Sequence, residues 1–402
     1  MSWSERYIRF HKQQTDCAIR RACARLTADS SALPKFHELL HYARNRASRL
    51  FEAPVVDGHH PGVEALVNLS RFESAHIRPA VQWPGTTSSW RLAVSSLAHH
   101  LVCTYEVPMF LTSSWYLAAD AEADKKRAWF VEHARGAPFR SLELPIAMTR
   151  KMEHIFLASH DHLEIERAIR RAELLALGAP TQILDAVLST RIATDLSNGK
   201  FWRTVWIFLV ANKDIMDPAQ IGPMIDFIQA IRHERVTAGT PDGTVEVDPP
   251  QPEFSMKGRT VPSILRLMRD WHRRLAISGA GFAWTPSRLR PMVVEDASLD
   301  ESVPPKRWQM VELTNSLQLR TEGAALHHCV ASYAGLCQRG ISRIWSLRCR
   351  QGEKIQHVLT IEIDPKRHAI VQARGRANSP PSGKPLRLLE DWAHRERLRL
   401  SI

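Results

Sequence analysis

The sequence lacks any apolar run long enough to cross a membrane. Its most hydrophobic stretch, VWIFLVA at residues 205–211, is far shorter than the roughly 18 residues that a membrane-spanning helix needs. The first residues, MSWSERYIRFHKQ, are charged and contain no apolar region of the kind found in signal peptides. We therefore expect a cytoplasmic protein that has no membrane partner and no secretory signal.

Cysteines are few, and no two of them form a Cys-x-x-Cys pair. The six are Cys17, Cys23, Cys103, Cys329, Cys337 and Cys349. Their irregular spacing fits no disulfide framework, and the expected compartment keeps thiols reduced. We therefore predict free thiols rather than structural disulfide bonds.

Metal and cofactor signatures are also missing. His327, His328, Cys329, Cys337 and His357 are residue types that bind zinc, but their spacing matches no structural zinc site. The sequence contains no Walker A loop, no Rossmann glycine fingerprint and no nucleophile elbow of a serine hydrolase. No metal site is therefore predicted, and the sequence leaves open whether the protein uses a cofactor.

Positive charge is present in excess and is concentrated in one part of the chain. The net charge is +12, from 54 Lys and Arg against 42 Asp and Glu. Residues 258–402 hold 24 Lys and Arg against 13 Asp and Glu, which is +11 and leaves +1 for residues 1–257. This asymmetry predicts a polyanionic partner, most often a nucleic acid, although a solvated basic face without a ligand would look the same.

The periodicity of apolar residues divides the chain into three parts. Segments such as residues 5–26 and 162–177 repeat apolar residues with a helical period, so we predict a helical domain at residues 1–237. Residues 238–257 are rich in proline and glycine and are predicted to form a linker. Residues 258–402 would then form the C-terminal domain.

The C-terminal domain combines helical and strand patterns. Helices are predicted at residues 262–276, 323–338 and 386–399, strands at residues 341–350, 355–363 and 369–375, and a loop at residues 287–305. The whole chain is therefore predicted to be α+β: a mostly helical N-terminal region followed by a small antiparallel sheet domain packed with helices.

A His-His-Cys triplet lies in LHHCVASYAGLCQRG, at residues 326–340. On a helix His327, His328 and Cys329 would point about 100° apart, so they could not all face one site. Cys329 would stack on Tyr333, four residues later. Either His328 or Cys329 is therefore predicted to face a site, unless both serve only in packing.

The predicted strands bring further polar residues together. Alternation along residues 355–363 places His357 with the core-facing residues and places Glu362 on the other side. Arg348, Gln372 and Arg374 on the neighbouring strands would share the side of Glu362. A carboxylate among arginines could be an acid, a base or an anion-site organiser. Alternatively, Glu362 simply pairs with an arginine on an open sheet face.

The pattern L…EG…LHHCV-x-SYA…C…G…IWSLR…TIEI…IVQARGRAN, followed by a helix with Trp392, resembles the PcfJ-like family. The resemblance covers about residues 309–392. The residues that carry it are Glu322, Gly323, His328, Cys329, Val330, Ser332, Tyr333, Gly340, Arg348, Glu362, Gln372, Gly375, Asn378 and Trp392. It implies a bacterial protein of plasmids, conjugation regions or phages, without implying a reaction, and it adds weight to a function for His328 and Cys329.

Two kinds of function follow from these observations. In the first, an enzyme acts on a nucleic acid or nucleotide, with His328, Cys329 and Glu362 as catalytic residues. The substrate-binding residues would be Arg348, Gln372, Arg374, Asn378 and Tyr333. In the second, the protein is a non-catalytic DNA-transfer accessory or a scaffold whose helical N-terminal domain recruits a protein partner.

Overall fold

The computed structural model describes residues 3–27, 32–55, 59–117, 120–240, 243–277, 283–296, 304–326, 330–376 and 379–400. The chain divides into two compact units, Met1–Ala176 and Leu177–Ile402. The predicted α+β class is confirmed, because the N-terminal part is mostly helical and a six-stranded sheet lies in the C-terminal part. No helix of the part described is long and apolar enough to cross a membrane.

Unit 1 is built from helices. They are α1 (Trp3–Leu26), α2 (Ala32–Arg46), α3 (Pro61–Arg71), α4 (Trp90–Val102), α5 (Ser113–Tyr116), α6 (Ala121–Ala134), α7 (Arg150–Leu157) and α8 (Ile165–Leu177). Aromatic rings fill its core edge to face, with Trp115 and Phe130 at 5.4 Å and Phe110 and Phe156 at 5.1 Å between centroids. In α8, Arg170 and Glu173 form an ion pair of 2.6 Å that is fully buried.

Unit 2 begins with helices and continues with strands. Its elements are α9 (Thr181–Leu188), α10 (Gly199–Ala211), α11 (Pro218–Arg232), β1 (Val236–Thr240), β2 (Gly243–Val247), α12 (Val261–Ile277), β3 (Met292–Asp296), β4 (Lys306–Leu313), α13 (Ser316–Leu326), α14 (Ala334–Gln338), β5 (Arg343–Gln351), β6 (Lys354–Asp364), β7 (Ala369–Arg374), α15 (Gly383–Arg395) and β8 (Arg399–Leu400). The boundary predicted at residues 238–257 lies inside unit 2 and stays a prediction.

The main sheet of unit 2 has the order β3-β4-β5-β6-β7-β8. All neighbouring strands are antiparallel except β7 and β8, which are parallel. The three strands predicted from the sequence correspond to β5, β6 and β7. Strand β3 lies in the segment predicted to be a loop; it was missed because it is a short edge strand whose Val293 is half exposed.

Two further segments differ from the predictions. The start of the predicted linker is a hairpin of β1 and β2. The helix predicted at residues 323–338 is not continuous: α13 begins at Ser316, where the Asn315 side chain accepts from the Gln318 amide and caps the helix, and ends at Leu326. A 3₁₀-helix, Val330–Tyr333, then leads into α14.

The two faces of the sheet have different surroundings. One face packs on α15, where Trp392 contacts Trp345 with 4.8 Å between ring centroids. Ile361, Ile363 and Ile370 belong to this buried apolar layer. The other face carries polar side chains, and it is referred to below as the polar face.

Two bulges decide which residues reach the polar face. Leu347 pairs with Leu359, but Arg348 pairs with His357, so Val358 is the extra residue. His357 therefore lies beside Arg348 on the polar face, and the prediction that it faces the core is wrong. A second bulge at Val371 turns Ile370 to the opposite face from Gln372, whereas strict alternation would put these two residues on the same face.

Candidate functional site

Side chains of the polar face lie in rows across the strands, because directly opposite residues of antiparallel strands point to the same side. From the β5–β6 turn inward, the rows are Arg307, Arg350 and Ile355; Gln309, Arg348 and His357; Val311, Ser346, Thr360 and Arg374; and Leu313, Ile344, Glu362 and Gln372. The first row is exposed, whereas Leu313, Ile344 and Glu362 of the last row are buried. The polar face thus runs from an exposed cationic end to a buried end that holds a carboxyl group.

A buried carboxylate and a histidine meet in the second row. Glu322 projects from α13 and is fully buried, and its Oε2 lies 2.6 Å from Nδ1 of His357. Thr360 Oγ1 donates to the other oxygen, Oε1, at 3.0 Å. Because an ionised carboxylate only accepts, this arrangement makes Nδ1 the donor and leaves Nε2 of His357 as the basic nitrogen.

Arg348 completes this group. Its Nη2 lies 3.5 Å from Oε2 of Glu322, and its Nε donates to Ser346 Oγ at 3.1 Å. His357 and Arg348 keep 15% and 23% of their side-chain surface exposed, so solvent reaches both. Among the residues that the structure describes, Nε2 of His357 has no hydrogen-bond partner. His357 and Arg348 thus place an imidazole and a guanidinium side by side, both in contact with the buried carboxylate of Glu322.

Glu362 forms a second centre in the last row. It is 6% exposed, and its Oε1 accepts from Ser342 Oγ at 3.0 Å. Burial raises the pKa of Glu362 to about 7; Arg191 opposes this rise, and Asp226 adds to it. The Tyr333 hydroxyl also lowers this pKa, yet Oε2 makes no hydrogen bond of ordinary geometry within the described residues.

Arg191 balances the charge next to this centre. It forms an ion pair with Glu234, and its guanidinium lies 5.6 Å from the centroid of the Tyr333 ring. Burial acts to lower the pKa of Arg191, but Glu234, Tyr333 and Glu362 raise it overall. Arg191 is therefore a permanent cation facing the Glu362 carboxyl group.

A cavity of about 360 Å³ opens at the inner end of the polar face. Its walls come from α9, α11, the 3₁₀-helix Val330–Tyr333 and the strands β5, β6 and β7. Glu362, Gln372, Arg374 and Tyr333 line it. The Tyr333 hydroxyl donates to Gln372 Oε1 at 3.4 Å, while Gln372 and Arg374 both donate to the carbonyl oxygen of Ser189. Thr360, which also lines the cavity, connects it to Glu322.

The residues selected from the sequence fall into three groups. Glu362, Gln372, Arg374 and Tyr333 lie together at the cavity. Arg348 shares their face but contacts Glu322, so the single patch expected from the sequence is two neighbouring centres. His328, Cys329 and Asn378 lie outside the described residues.

Sequence reasoning did not select Glu322, His357 or Asp226 as site residues. Glu322 was visible only as part of the Glu-Gly pair of the family pattern. His357 was assigned to the core because strict alternation takes no account of a bulge. Asp226 lies on α11, far along the chain, and no local pattern marks it.

Comparison with known proteins gives one match. Residues 305–384 match the family model PcfJ, described as PcfJ-like protein. No curated protein and no solved structure matches the chain. The matched segment begins just before β4 and ends at the start of α15, so it contains both centres of the polar face. The resemblance seen in the sequence is thus confirmed for this segment: residues 305–384 form a PcfJ-like region.

Proposed function

We propose that the PcfJ-like region is an acid–base site that acts on a nucleic acid, in the context of a plasmid, a phage or another mobile element. The observation that carries this proposal is the pairing of buried Glu322 with His357, whose side chain keeps 15% of its surface exposed. The mobile-element context comes from the family resemblance alone.

The geometry suits general acid–base catalysis. A buried carboxylate that accepts from one imidazole nitrogen fixes the tautomer and the ring orientation, and leaves the other nitrogen to accept a proton. His357 Nε2 would then remove or return a proton, and Arg348 would stabilise negative charge on a neighbouring phosphate. Glu322 is a positioning residue in this scheme, because it acts through His357.

The charge distribution favours a nucleic acid as the substrate. Arg348 and the exposed Arg350 lie on β5 in the two rows nearest the β5–β6 turn, and residues 258–402 carry a net charge of +11. A cationic surface that leads to an acid–base pair is what a phosphodiester backbone requires. We propose that the backbone lies along the outer rows of the polar face.

The test uses the full-length protein and labelled single- and double-stranded DNA and RNA, with and without Mg²⁺. We expect turnover by the wild type and a loss of about 10²- to 10⁴-fold in His357→Gln and in Glu322→Gln. His394→Gln is the matched control, because His394 is exposed on α15, against the opposite face of the sheet. Unchanged turnover in His357→Gln would remove the assignment.

His328→Ala and Cys329→Ser belong in the same series, because both residues were selected from the sequence. Loss of turnover in Cys329→Ser together with full turnover in His357→Gln would favour a thiol nucleophile instead.

A second candidate function is non-catalytic binding of nucleic acid, which the exposed cationic row favours. Arg350→Gln should then weaken binding to all sequences and lower the slope of log affinity against log salt by about one. Arg387→Gln, an exposed arginine on α15, is the control. Salt-dependent binding without turnover, equal in wild type and His357→Gln, would support this function over catalysis.

A further inference from the structure

The cavity at the inner end of the polar face contains a carboxyl group with unused bonding capacity. Glu362 lines the cavity and is only 6% exposed. Ser342 donates to Oε1, whereas Oε2 makes no hydrogen bond of ordinary geometry in the part of the chain that is described, although the Tyr333 hydroxyl lowers the pKa of this carboxyl group. A buried acceptor without a donor is costly, so a ligand that supplies an N–H group would relieve that cost.

A cation lies close by on the same face. Arg374 pairs with Thr360, and Glu362 pairs with Gln372, so Arg374 and Glu362 are diagonal neighbours on adjacent strands. Arg374 donates to the carbonyl of Ser189, but within the described residues no carboxylate lies within 4.0 Å of its guanidinium. Its remaining N–H groups are suited to an anion.

The rest of the wall combines small apolar residues with polar ones, among them the carboxylates of Asp185 and Asp226. It includes Ala186, Pro223, Val330 and Ile344. A volume of about 360 Å³ is within the usual range of small-molecule sites, which combine apolar walls with a few fixed polar groups. The cavity therefore suits a small ligand that carries both N–H donors and an anionic group.

We propose that this cavity binds a nucleoside monophosphate, with N–H groups of the base donating to Glu362 and the phosphate held by Arg374. Guanine fits best, because its edge offers two adjacent N–H donors and each carboxylate oxygen can accept more than one hydrogen bond. The nucleotide can be free or can be the phosphorylated end of a strand. The proposal stands apart from the function proposed above, because neither Glu322 nor His357 contributes to it.

Calorimetric titration of the full-length protein with GMP, AMP, CMP and UMP tests this inference. We expect binding, tightest for GMP, and a loss of at least about tenfold in Glu362→Gln. Arg374→Gln should bring the affinity for GMP down to that for guanosine. Glu390→Gln and Arg387→Gln, exposed on α15, are the matched controls. A 5′-phosphorylated and an unphosphorylated oligonucleotide then distinguish a strand end from a free nucleotide.

A variant that leaves both polar groups in place guards against effects on folding. Ala186→Leu on α9 adds a side chain at the cavity wall and should abolish binding while the helix remains intact. The inference is overturned if no nucleotide or phosphorylated end binds, or if Glu362→Gln and Ala186→Leu bind as tightly as the wild type. His357→Gln should bind normally, which separates this result from a failure of the acid–base proposal.

Discussion

Oε2 of Glu322 lies 2.6 Å from Nδ1 of His357, although the two residues are 35 positions apart in the chain. One belongs to α13 and the other to β6, so the contact requires the helix to pack on the polar face of the sheet. Thr360 and Arg348 direct further donors at the same carboxylate. The side chains of His357, Thr360 and Arg348 thus converge on the single carboxylate of Glu322.

Replacing Glu322 should destabilise the fold. In Glu322→Ala, the donors of partly buried His357 and buried Thr360 lose their acceptor, so we expect the free energy of unfolding to fall by about 3 kcal/mol. Glu322→Gln keeps one acceptor oxygen and should cost less. Urea denaturation measures both, with Glu353→Ala at the exposed β5–β6 turn as the control. Equal stability of Glu322→Ala and wild type would contradict the contacts described.

Glu362 should make stability fall as the pH rises. The pKa of its carboxyl group is about 7 in the folded protein and 4.5 ordinarily, so between these values the folded state holds a proton that the unfolded state has lost. The contribution of Glu362 to the free energy of unfolding is therefore fully present below pH 4.5, decreases up to about pH 7 and is constant above it. The total loss is about 3 kcal/mol.

Glu362→Gln cannot ionise and should escape this loss. Its melting temperature should match that of the wild type near pH 4.5 and exceed it at pH 8. Of the groups that face Glu362, Arg191 has a raised pKa and buried Cys337 has a pKa of about 12, so neither titrates in this range. Asp226 and Tyr333 are present in both the wild type and Glu362→Gln, so both proteins include their contributions to the pH dependence of the melting temperature. A difference in melting temperature that does not change with pH would refute the assignment.

The two tryptophans of the sheet–helix core should respond differently to the same substitution. Trp392 Nε1 donates to the carbonyl oxygen of Arg290 at 2.9 Å, whereas Trp345 Nε1 is buried without a partner in the described residues. Trp392→Phe should therefore cost about 1 kcal/mol more than Trp345→Phe, since both lose similar volume but only one loses a hydrogen bond. Paired urea denaturation curves measure this difference, and the reverse order would contradict it.

The buried ion pair of α8 gives a test in unit 1. Arg170→Ala leaves the carboxylate of Glu173 buried without its cation, and we expect a loss of about 3–5 kcal/mol. The exposed pair Lys125–Glu122 has the same sequence separation, and Lys125→Ala should cost less than about 0.5 kcal/mol. Thermal denaturation of both variants measures these losses of stability. Similar losses in the two variants would show that burial does not determine the contribution of the ion pair.

Much of the fold could be predicted from local patterns. The alternation of apolar residues located β5, β6 and β7, and the charge count located the basic region. Strand β3 escaped because it is short and lies at the edge, and α13 was misplaced because Gly323 was taken for a helix start rather than a residue inside a helix. Local patterns carry little information about short edge strands and about where a helix begins.

The candidate site was only partly predictable for a related reason. Glu362, Gln372 and Arg374 were grouped correctly because pairing of β6 with β7 follows from a short turn. The contact of Glu322 with His357 depends on the extra residue Val358. Because of this residue, the side chains that precede it in β6 point to the opposite faces of the sheet from those that strict alternation predicts. A pattern of period two cannot reveal such a residue without knowledge of the neighbouring strand.

The two ends of the polar face differ in charge and in burial, so the surface is directional. Cations occupy the rows near the β5–β6 turn, and a carboxyl group closes the other end in a cavity. An extended strand lying along these rows would place one of its two ends at the cavity, where Glu362 offers an acceptor and Arg374 offers N–H donors. Such a surface would distinguish the two ends of a strand without contacting any particular base. Strand polarity, rather than base sequence, would then be the property that the outer rows recognise.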